Sequence, residues 1–209
     1  MNFSQKKSVT LTELLVATVI VGIMMVGITG IDIALRTSHM GTTRTGLVAM
    51  RTSAIMSHMA KTISQATGFG DGSNANDDPG ILFTNDPTDE LNPLSLKTSP
   101  MCIRYDRNPN PTPDLGDDSW VCYNIDSATG NVLFCNSPTP GAAVNCPAGS
   151  EILDRVVDIH INHLRDPSVP KFAVRVMIDN RFNPAQPYNT NSNPSYALTT
   201  EIETPMHSF

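Results

Sequence analysis

The feature that most constrains this chain is an uncharged apolar run of 18 residues from Leu14 to Ile31. A helix rises about 1.5 Å per residue, so the run would span ~27 Å, close to the hydrocarbon thickness of a bilayer. Lys6 and Lys7 precede the run, and such a basic flank favours an N-terminus in the cytoplasm. The sequence therefore predicts a single-pass membrane helix with everything after Ile31 on the far side of the membrane.

Two simpler interpretations of the same run stay open. A cleaved secretory signal has a shorter apolar core, of roughly 7–15 residues, followed by a small-residue cleavage site. A plain signal anchor fits the hydropathy equally well. Glu13 is the residue that distinguishes a plain signal or anchor from a helix with a more specific role. A carboxylate at the edge of a membrane helix is unfavourable unless it is paired or near water. Its structural alternative is a capping box, since Thr10 and Glu13 fit the S/T-x-x-E pattern of a helix start.

The segment KSVTLTELL, residues 7–15, resembles the N-terminus of type IV prepilins. That family has a short basic leader, a small residue at the cut, an apolar residue, then Thr, Leu, any residue, Glu and Leu. The resemblance implies a leader over residues 1–8, removed by a prepilin peptidase between Ser8 and Val9, and methylation of the new amine of Val9. Glycine is usual at the position of Ser8, and phenylalanine or methionine is commoner than Val9. The implied assembly residues are Thr10, Leu11, Glu13 and Leu14.

Physical chemistry supplies a reason for Glu13 in such a subunit. Cleavage leaves a positive amine on Val9, and the carboxylate of Glu13 lies about one helical turn away. In a low dielectric, this carboxylate strongly favours a neighbouring subunit whose amine is in register, and it is penalised when unpaired. Residues 9–31 are therefore predicted to be a helix that serves both the membrane and assembly.

Residues 32–70 are predicted to continue as an amphipathic helix that forms the spine of a head domain. No proline interrupts this stretch, Asp32 can pair with Arg36 one turn on, and only Thr37–Gly46 is a weak helix former. The apolar residues that recur on one helical face are Val48, Ile55, Met59, Ile63 and Ala66.

Residues 71–209 are predicted to form an antiparallel β head. All 16 prolines and all four cysteines lie from Pro79 onward. Alternation of apolar and polar residues indicates strands near 101–105, 120–125, 132–135, 157–162, 172–178 and 196–203, with a turn at 126–131. We read these strands as one meander with a single apolar face, which gives an α+β fold with the long helix on the sheet. The resemblance implies the same pilin-like arrangement, and the head is more similar to minor pseudopilins than to a major subunit.

Four cysteines on the non-cytoplasmic side favour two disulfides. Their spacing does not fit CxxC zinc or redox chemistry. The preferred pairing is Cys102–Cys122 with Cys135–Cys146. Cys122–Cys135 competes with it, because a loop at 127–130 would bring those two residues opposite each other on a hairpin.

The sequence offers no catalytic motif, so we expect no enzyme and no required cofactor. Calcium is the one ion that the acidic loops suggest, with oxygen ligands from Asp71 to Asp78 and from a second cluster of Asp114, Asp117 and Asp118; solvated loops are the preferred interpretation. His160 and His163 fall on opposite faces of one strand, which favours solvated strand residues over a metal site, and Trp120 is expected in the core. Residues 79–209 carry eight basic and 15 acidic side chains, a net of −7, which argues against nucleic acid as a partner.

These expectations combine into a minor pilin or pseudopilin of a type IV pilus, a type II secretion system or a DNA-uptake machine. Its partners would be other pilin subunits, the prepilin peptidase and the inner membrane, with the head in the periplasm or outside. The alternative is a signal-anchored periplasmic binding or enzymatic domain in which Glu13 only caps the helix. Capture of DNA by the head would require a basic stripe.

Overall fold

The computed structural model describes residues 10–66, 80–84, 93–105, 119–137, 143–147, 149–165 and 172–204. It confirms the α+β class, with one long helix packed on antiparallel sheets. The elements are α1 (Leu11–Ile63), β1 (Ile81–Phe83), β2 (Leu94–Ser95), β3 (Met101–Tyr105), β4 (Ser119–Ile125), β5 (Asn131–Asn136), β6 (Glu151–Arg155), β7 (Asp158–Arg165), β8 (Phe172–Arg181) and β9 (Ser195–Thr204).

The helix α1 is continuous over 53 residues, about 80 Å at the usual helical rise. It stays helical through residues 37–46, which the sequence marks as weak. Threonine hydroxyls in this stretch bond back to carbonyl oxygens one turn earlier, as Thr42 does to Ser38 and Thr45 to Gly41. These bonds satisfy the hydroxyls within the helix, so the threonines need not compete with it for backbone partners. The predicted pair of Asp32 and Arg36 is present at 2.9 Å.

The packed face of α1 begins only at Val48. The predicted core face is confirmed, since all five of the residues that define it are buried, and Thr52 and Met56 extend it. Between Leu11 and Leu47, by contrast, the helix exposes its large apolar side chains. The first half of α1 is therefore not covered by the head.

The head contains two sheets, where the sequence pattern indicated one meander. The five-stranded sheet has the order β1-β3-β4-β5-β6, and the four-stranded sheet has the order β2-β7-β8-β9, antiparallel throughout. The strands missing from the prediction are β1, β2 and β6. Two of them have only two or three residues, too few to show a period, and β6 is mostly exposed with no buried face. β2 and β6 decide the topology. β6 pairs with the free edge of β5 and β2 pairs with the free edge of β7, so β5 and β7 do not pair with each other.

One apolar core lies between α1 and both sheets. Met59 and Ile63 of the helix meet Ile103 and Tyr123 of the five-stranded sheet and Val176 of the four-stranded sheet in a single buried cluster. Because both sheets bury their inner faces on the same helix, α1 is the shared core element of the head.

The predicted turn at 126–131 is present and touches both halves of the head. Asp126 accepts bonds from the Thr129 hydroxyl at 2.6 Å and from the N–H of Ala128 at 3.1 Å, and these bonds lower the pKa of Asp126. Gly130 has φ of 74°, and a Cβ there would lie 2.8 Å from the carbonyl oxygen of Val156. Glycine is therefore required both by the backbone conformation and by the close approach of the β6–β7 connection.

Candidate functional site

The start of α1 holds two of the predicted assembly residues in a complete capping box. The N–H of Thr10 donates to Glu13 Oε2 at 2.9 Å, and the N–H of Glu13 donates to Thr10 Oγ1 at 3.3 Å. The Thr10 hydroxyl also donates to Glu13 Oε2, at 2.9 Å. Ser8 and Val9, the predicted processing residues, lie outside the described residues. The capping interpretation of Glu13 is thus realised within a single chain.

The Glu13 carboxylate can accept more hydrogen bonds than the helix cap uses. Both bonds from Thr10 end on Oε2, whereas a carboxylate accepts hydrogen bonds at both of its oxygens. The same side chain can therefore complete the cap and accept a charged group from a neighbouring molecule. Leu11 and Leu14, the other two predicted assembly residues, point into open space, with exposed fractions of 81% and 62%.

The uncovered half of α1 is the largest apolar surface of the described residues. It is long and apolar enough to cross a membrane, and none of the apolar window is buried by the head. A single exposed apolar helix of this length fits a single-pass membrane anchor. Beyond Ile31 the surface continues along Ile33, Met40 and Leu47, which are spaced by seven residues and share one face of the helix. This part requires lipid or other protein chains to cover it.

A partly buried hydrogen-bond relay connects the helix to the five-stranded sheet. The Tyr123 hydroxyl donates to Thr62 Oγ1 at 2.8 Å, and the Thr62 hydroxyl donates to the carbonyl oxygen of His58 at 3.0 Å. Since Tyr123 has one hydroxyl hydrogen, its oxygen must accept from His58 Nδ1, 2.9 Å away, which fixes the proton of neutral His58 on Nδ1. The His58 ring packs edge-on against Phe134 at 5.0 Å. Burial strongly raises the pKa of Tyr123.

We expect Tyr123→Phe to lower the free energy of unfolding of the head by about 1–3 kcal/mol, because it removes the acceptor of the half-buried His58 N–H and the donor to Thr62. Below pH ~10 the loss should be constant. Above pH ~10, Tyr123 ionises in the unfolded chain but not in the folded one, so stability of the native protein falls and Tyr123→Phe falls less steeply. Denaturant unfolding at pH 7 to 11 measures both effects.

Tyr188→Phe is the matched control for this substitution, because Tyr188 is 57% exposed and its hydroxyl contacts only Thr190 among the described residues, at 3.3 Å. It should change neither the stability at pH 7 nor the slope above pH 10. Equal effects of the two substitutions would contradict the role of the relay.

Polar contacts also fix the end of the head that lies nearer the apolar half of α1. Arg44 donates to the carbonyl oxygen of Ser192 at 3.0 Å, and its guanidinium lies 5.1 Å from the centre of the Phe182 ring. Thr52 accepts a bond from buried Asn180 at 3.2 Å. The β8–β9 loop and the end of β8 are therefore held on the helix by polar contacts.

The head contains two disulfides, Cys102–Cys122 and Cys135–Cys146, which is the pairing that the sequence analysis preferred. The competing pair is also in register, since Cys122 is opposite Cys102 on one side and opposite Cys135 on the other. The N–H of Ser137 bonds to the Trp120 carbonyl, so by alternation Cys122 and Cys135 form a hydrogen-bonded pair. Side chains are closer in non-hydrogen-bonded pairs, and Cys102–Cys122 is such a pair, with 4.0 Å between Cα atoms.

The cysteines form a second, smaller apolar cluster on the face of the five-stranded sheet that points away from α1. We call it the outer cluster; its buried members are Cys102, Trp120, Cys122 and Cys146, and Leu82, Leu133, Cys135, Ala143 and Val144 pack against it. Trp120 lies in this cluster rather than in the main core, and is 3% exposed. Segment 143–147 thus forms a cover on the outer face of the sheet.

The remaining sequence candidates are not assembled into a chemical site by the described residues. The acidic loop 71–79 and the cluster of Asp114, Asp117 and Asp118 lie outside these residues. His160 Nε2 lies 3.7 Å from Asp158 Oδ2 and 4.0 Å from Asp179 Oδ2, but no group in the described part of the chain has the three ligands a metal ion would need.

A pocket of mixed polar and apolar lining and a hydrogen-bonded serine were not anticipated from the sequence. The pocket has a volume of about 310 Å³ and is lined by Asp179, Arg181 and Tyr196 among others. Ser95 donates to both oxygens of Asp158, at 2.7 and 2.8 Å, and not to His160. A hydrolytic triad needs the histidine next to the serine, so this group has the wrong order.

Comparison with protein-family models, with curated proteins and with solved structures finds no match for this chain. The architecture, a long apolar N-terminal helix on an antiparallel β head, is consistent with a pilin-like protein.

Proposed function

We propose that this protein is a minor pilin or pseudopilin, a structural subunit that prepilin peptidase processes between Ser8 and Val9 and that assembles through α1 in the inner membrane. The carrying observation is the form of α1, one unbroken helix of which the first half is uncovered and apolar and the second half is the core of the head. A soluble domain has no use for the first half. A subunit that passes from lipid into a helical assembly needs such a surface in both environments.

Three further features support this proposal. The prepilin-like motif stands at the start of α1, and Glu13 retains accepting capacity beyond the cap. The apolar stripe through Ile33, Met40 and Leu47 continues past the predicted membrane segment, where lipid no longer covers it. The disulfides fit an oxidising compartment. Together they favour a head on the periplasmic side and neighbouring subunits against α1.

The second candidate is a signal-anchored periplasmic domain, and the complete capping box favours it. In that case Glu13 has no role beyond the first turn, and the pocket at Asp179 and Tyr196 would be the place to look for a ligand. The two candidates differ in what happens to the N-terminus.

Mass spectrometry of the full-length protein, made in cells that contain a prepilin peptidase, tests the proposed function. We expect a mature chain that begins at Val9 with an N-methylated amine. A matched culture without the peptidase should give a chain that retains residues 1–8. An N-terminus at Met1 in both cultures, or a cut beyond Ile31, would exclude the prepilin assignment and favour the anchored domain.

A further inference from the structure

We propose that Cys135–Cys146 is a redox-sensitive latch, which holds segment 143–147 over the outer cluster and opens before Cys102–Cys122 does. This inference does not depend on the proposed function. It rests on the different positions of the two disulfides in one sheet.

The two disulfides connect elements of very different independence. Cys102–Cys122 joins β3 to β4, which are already paired over five residue pairs. Cys135–Cys146 joins β5 to a segment that belongs to no strand. That segment is further tied to the sheet by the N–H of Cys146, which donates to Asn124 Oδ1 at 3.0 Å, and by the N–H of Val144, 3.4 Å from Cys102 Sγ. Opening the second disulfide therefore removes the covalent link of the segment to β5 and leaves it held by these two contacts and by its packing on the outer cluster.

The two disulfides also differ in access. Cys102 and Cys122 are fully buried, with 0% exposure, and Cys146 is 7% exposed. Cys135 is only partly buried. Thiol–disulfide exchange requires a thiolate to reach a sulfur atom, so a dissolved or protein dithiol reaches Cys135 first.

The reaction is an ordinary two-step exchange with a dithiol reductant. A thiolate of the dithiol attacks Cys135 Sγ, the bond to Cys146 Sγ breaks, and Cys146 leaves as a thiolate that takes up a proton. The second thiol of the reductant then attacks its own sulfur in the mixed disulfide and releases Cys135. The dithiol ends as a disulfide, and the two electrons it gives up reduce Cys135 and Cys146 to thiols.

The register of the strands favours confinement of the reaction to this bond. The freed thiol of Cys135 is opposite Cys122. Its attack on Cys122 Sγ would form a Cys122–Cys135 disulfide and release Cys102 as a thiolate. However, Cys122 and Cys135 form a hydrogen-bonded pair, in which side chains are farther apart than in the pair of Cys102 and Cys122. This register therefore favours retention of the disulfide between Cys102 and Cys122.

Opening the latch should uncover the outer cluster without unfolding the head. Ala143 and Val144 would move away from the outer cluster, and the Trp120 side chain would become exposed. Its indole Nε1, which has no hydrogen-bond partner among the described residues, gains access to water. The main core shares no residue with the outer cluster, so the packing of α1 on the sheets persists.

The test is a dithiothreitol titration of the full-length protein in detergent micelles, with alkylation and peptide mass spectrometry at each step. We expect Cys135 and Cys146 to be alkylated together at a dithiol concentration about tenfold below that needed for Cys102 and Cys122, equivalent to ~30 mV for a two-electron couple. The fluorescence of Trp120, the one tryptophan in the chain, should shift to the red in the first step, with unchanged far-ultraviolet circular dichroism. Simultaneous opening of both disulfides, prior opening of Cys102–Cys122, or a first step without a fluorescence shift would overturn the proposal.

Two variants make the same test without a reductant. Cys146→Ser leaves Cys135 as a free thiol and should show the red-shifted fluorescence at once, with the alkylating reagent on Cys135. The double variant Cys135→Ser/Cys146→Ser should show the same fluorescence, which separates release of the segment from the presence of a thiol. Alkylation of Cys102 in Cys146→Ser would mean that the disulfide had moved to Cys122–Cys135, and would contradict the limit set by the register.

Discussion

Glu13→Gln is expected to insert into the membrane normally and to fail in assembly. Glutamine at this position still completes a capping box, so the helix start is retained. What is lost is the negative charge, and with it the pairing that we propose with the amine of a neighbouring subunit. Breaking such a pair in a low dielectric costs about 3–5 kcal/mol, so incorporation should fall by two orders of magnitude or more. Membrane fractionation measures insertion, and the amount of protein in sheared or co-purified assemblies measures incorporation.

Thr10→Ala is the matched control, because it removes the cap and keeps the carboxylate. Loss of an N-cap side chain costs about 1 kcal/mol of helix stability, and the first turn of α1 has no contact with the head to propagate that loss. Incorporation of Thr10→Ala should therefore stay within a few-fold of the native level. The opposite ranking, with Glu13→Gln active and Thr10→Ala inactive, would show that Glu13 serves only as a cap and would favour the anchored domain.

Met59→Ala is expected to destabilise the head by about 2–5 kcal/mol, the usual range for a methionine deleted from a packed core. Met59 is fully buried where α1 meets the sheets. A loss of this size is a large part of the 5–15 kcal/mol that typically holds a domain folded. Denaturant unfolding in detergent, followed by Trp120 fluorescence and circular dichroism, measures it.

The same helix provides the control in Met50→Ala, since Met50 is 71% exposed. This substitution deletes the same atoms and should change stability by no more than about 0.5 kcal/mol. If Met50→Ala were as destabilising as Met59→Ala, the face of α1 that packs on the head would be assigned wrongly.

The secondary-structure elements of this fold could be predicted from sequence where the periodic signal was long. The core face of α1 repeats from Val48 to Ile63, about four turns, and β4, β8 and β9 are strands of seven to ten residues. The division into two sheets could not be predicted in this way. It depends on β2, which has two residues, and on β6, which is mostly exposed and has no buried alternation. Strands this short or this exposed carry no periodic signal, and the partner of β2 lies more than 60 residues further along the chain.

The candidate site divides in the same way. Thr10 and Glu13 are three residues apart, so the cap could be predicted from spacing alone. The relay of Tyr123, His58 and Thr62 joins residues more than 60 positions apart and could not. The outer cluster was missed for a related reason. The sequence indicates a loop after β5 and a disulfide that closes it, but only the register of β3, β4 and β5 shows that the loop lies over Trp120.

The unbroken course of α1 also sets a distance. From Ile31, where the membrane run ends, to Arg44, which holds the β8–β9 loop, the helix rises by 13 residues, or about 20 Å. With the apolar run in a membrane, as proposed, the length of the helix fixes the height of the head above the bilayer. The same geometry fixes the orientation of the head about the helix axis, because each added residue rotates everything beyond it by about 100°. Four extra residues would raise the head by ~6 Å and swing it by ~40°, whereas eleven would raise it by ~16 Å and leave it facing nearly the same way. The length of α1 therefore sets both the distance and the rotational orientation of the head relative to the apolar run.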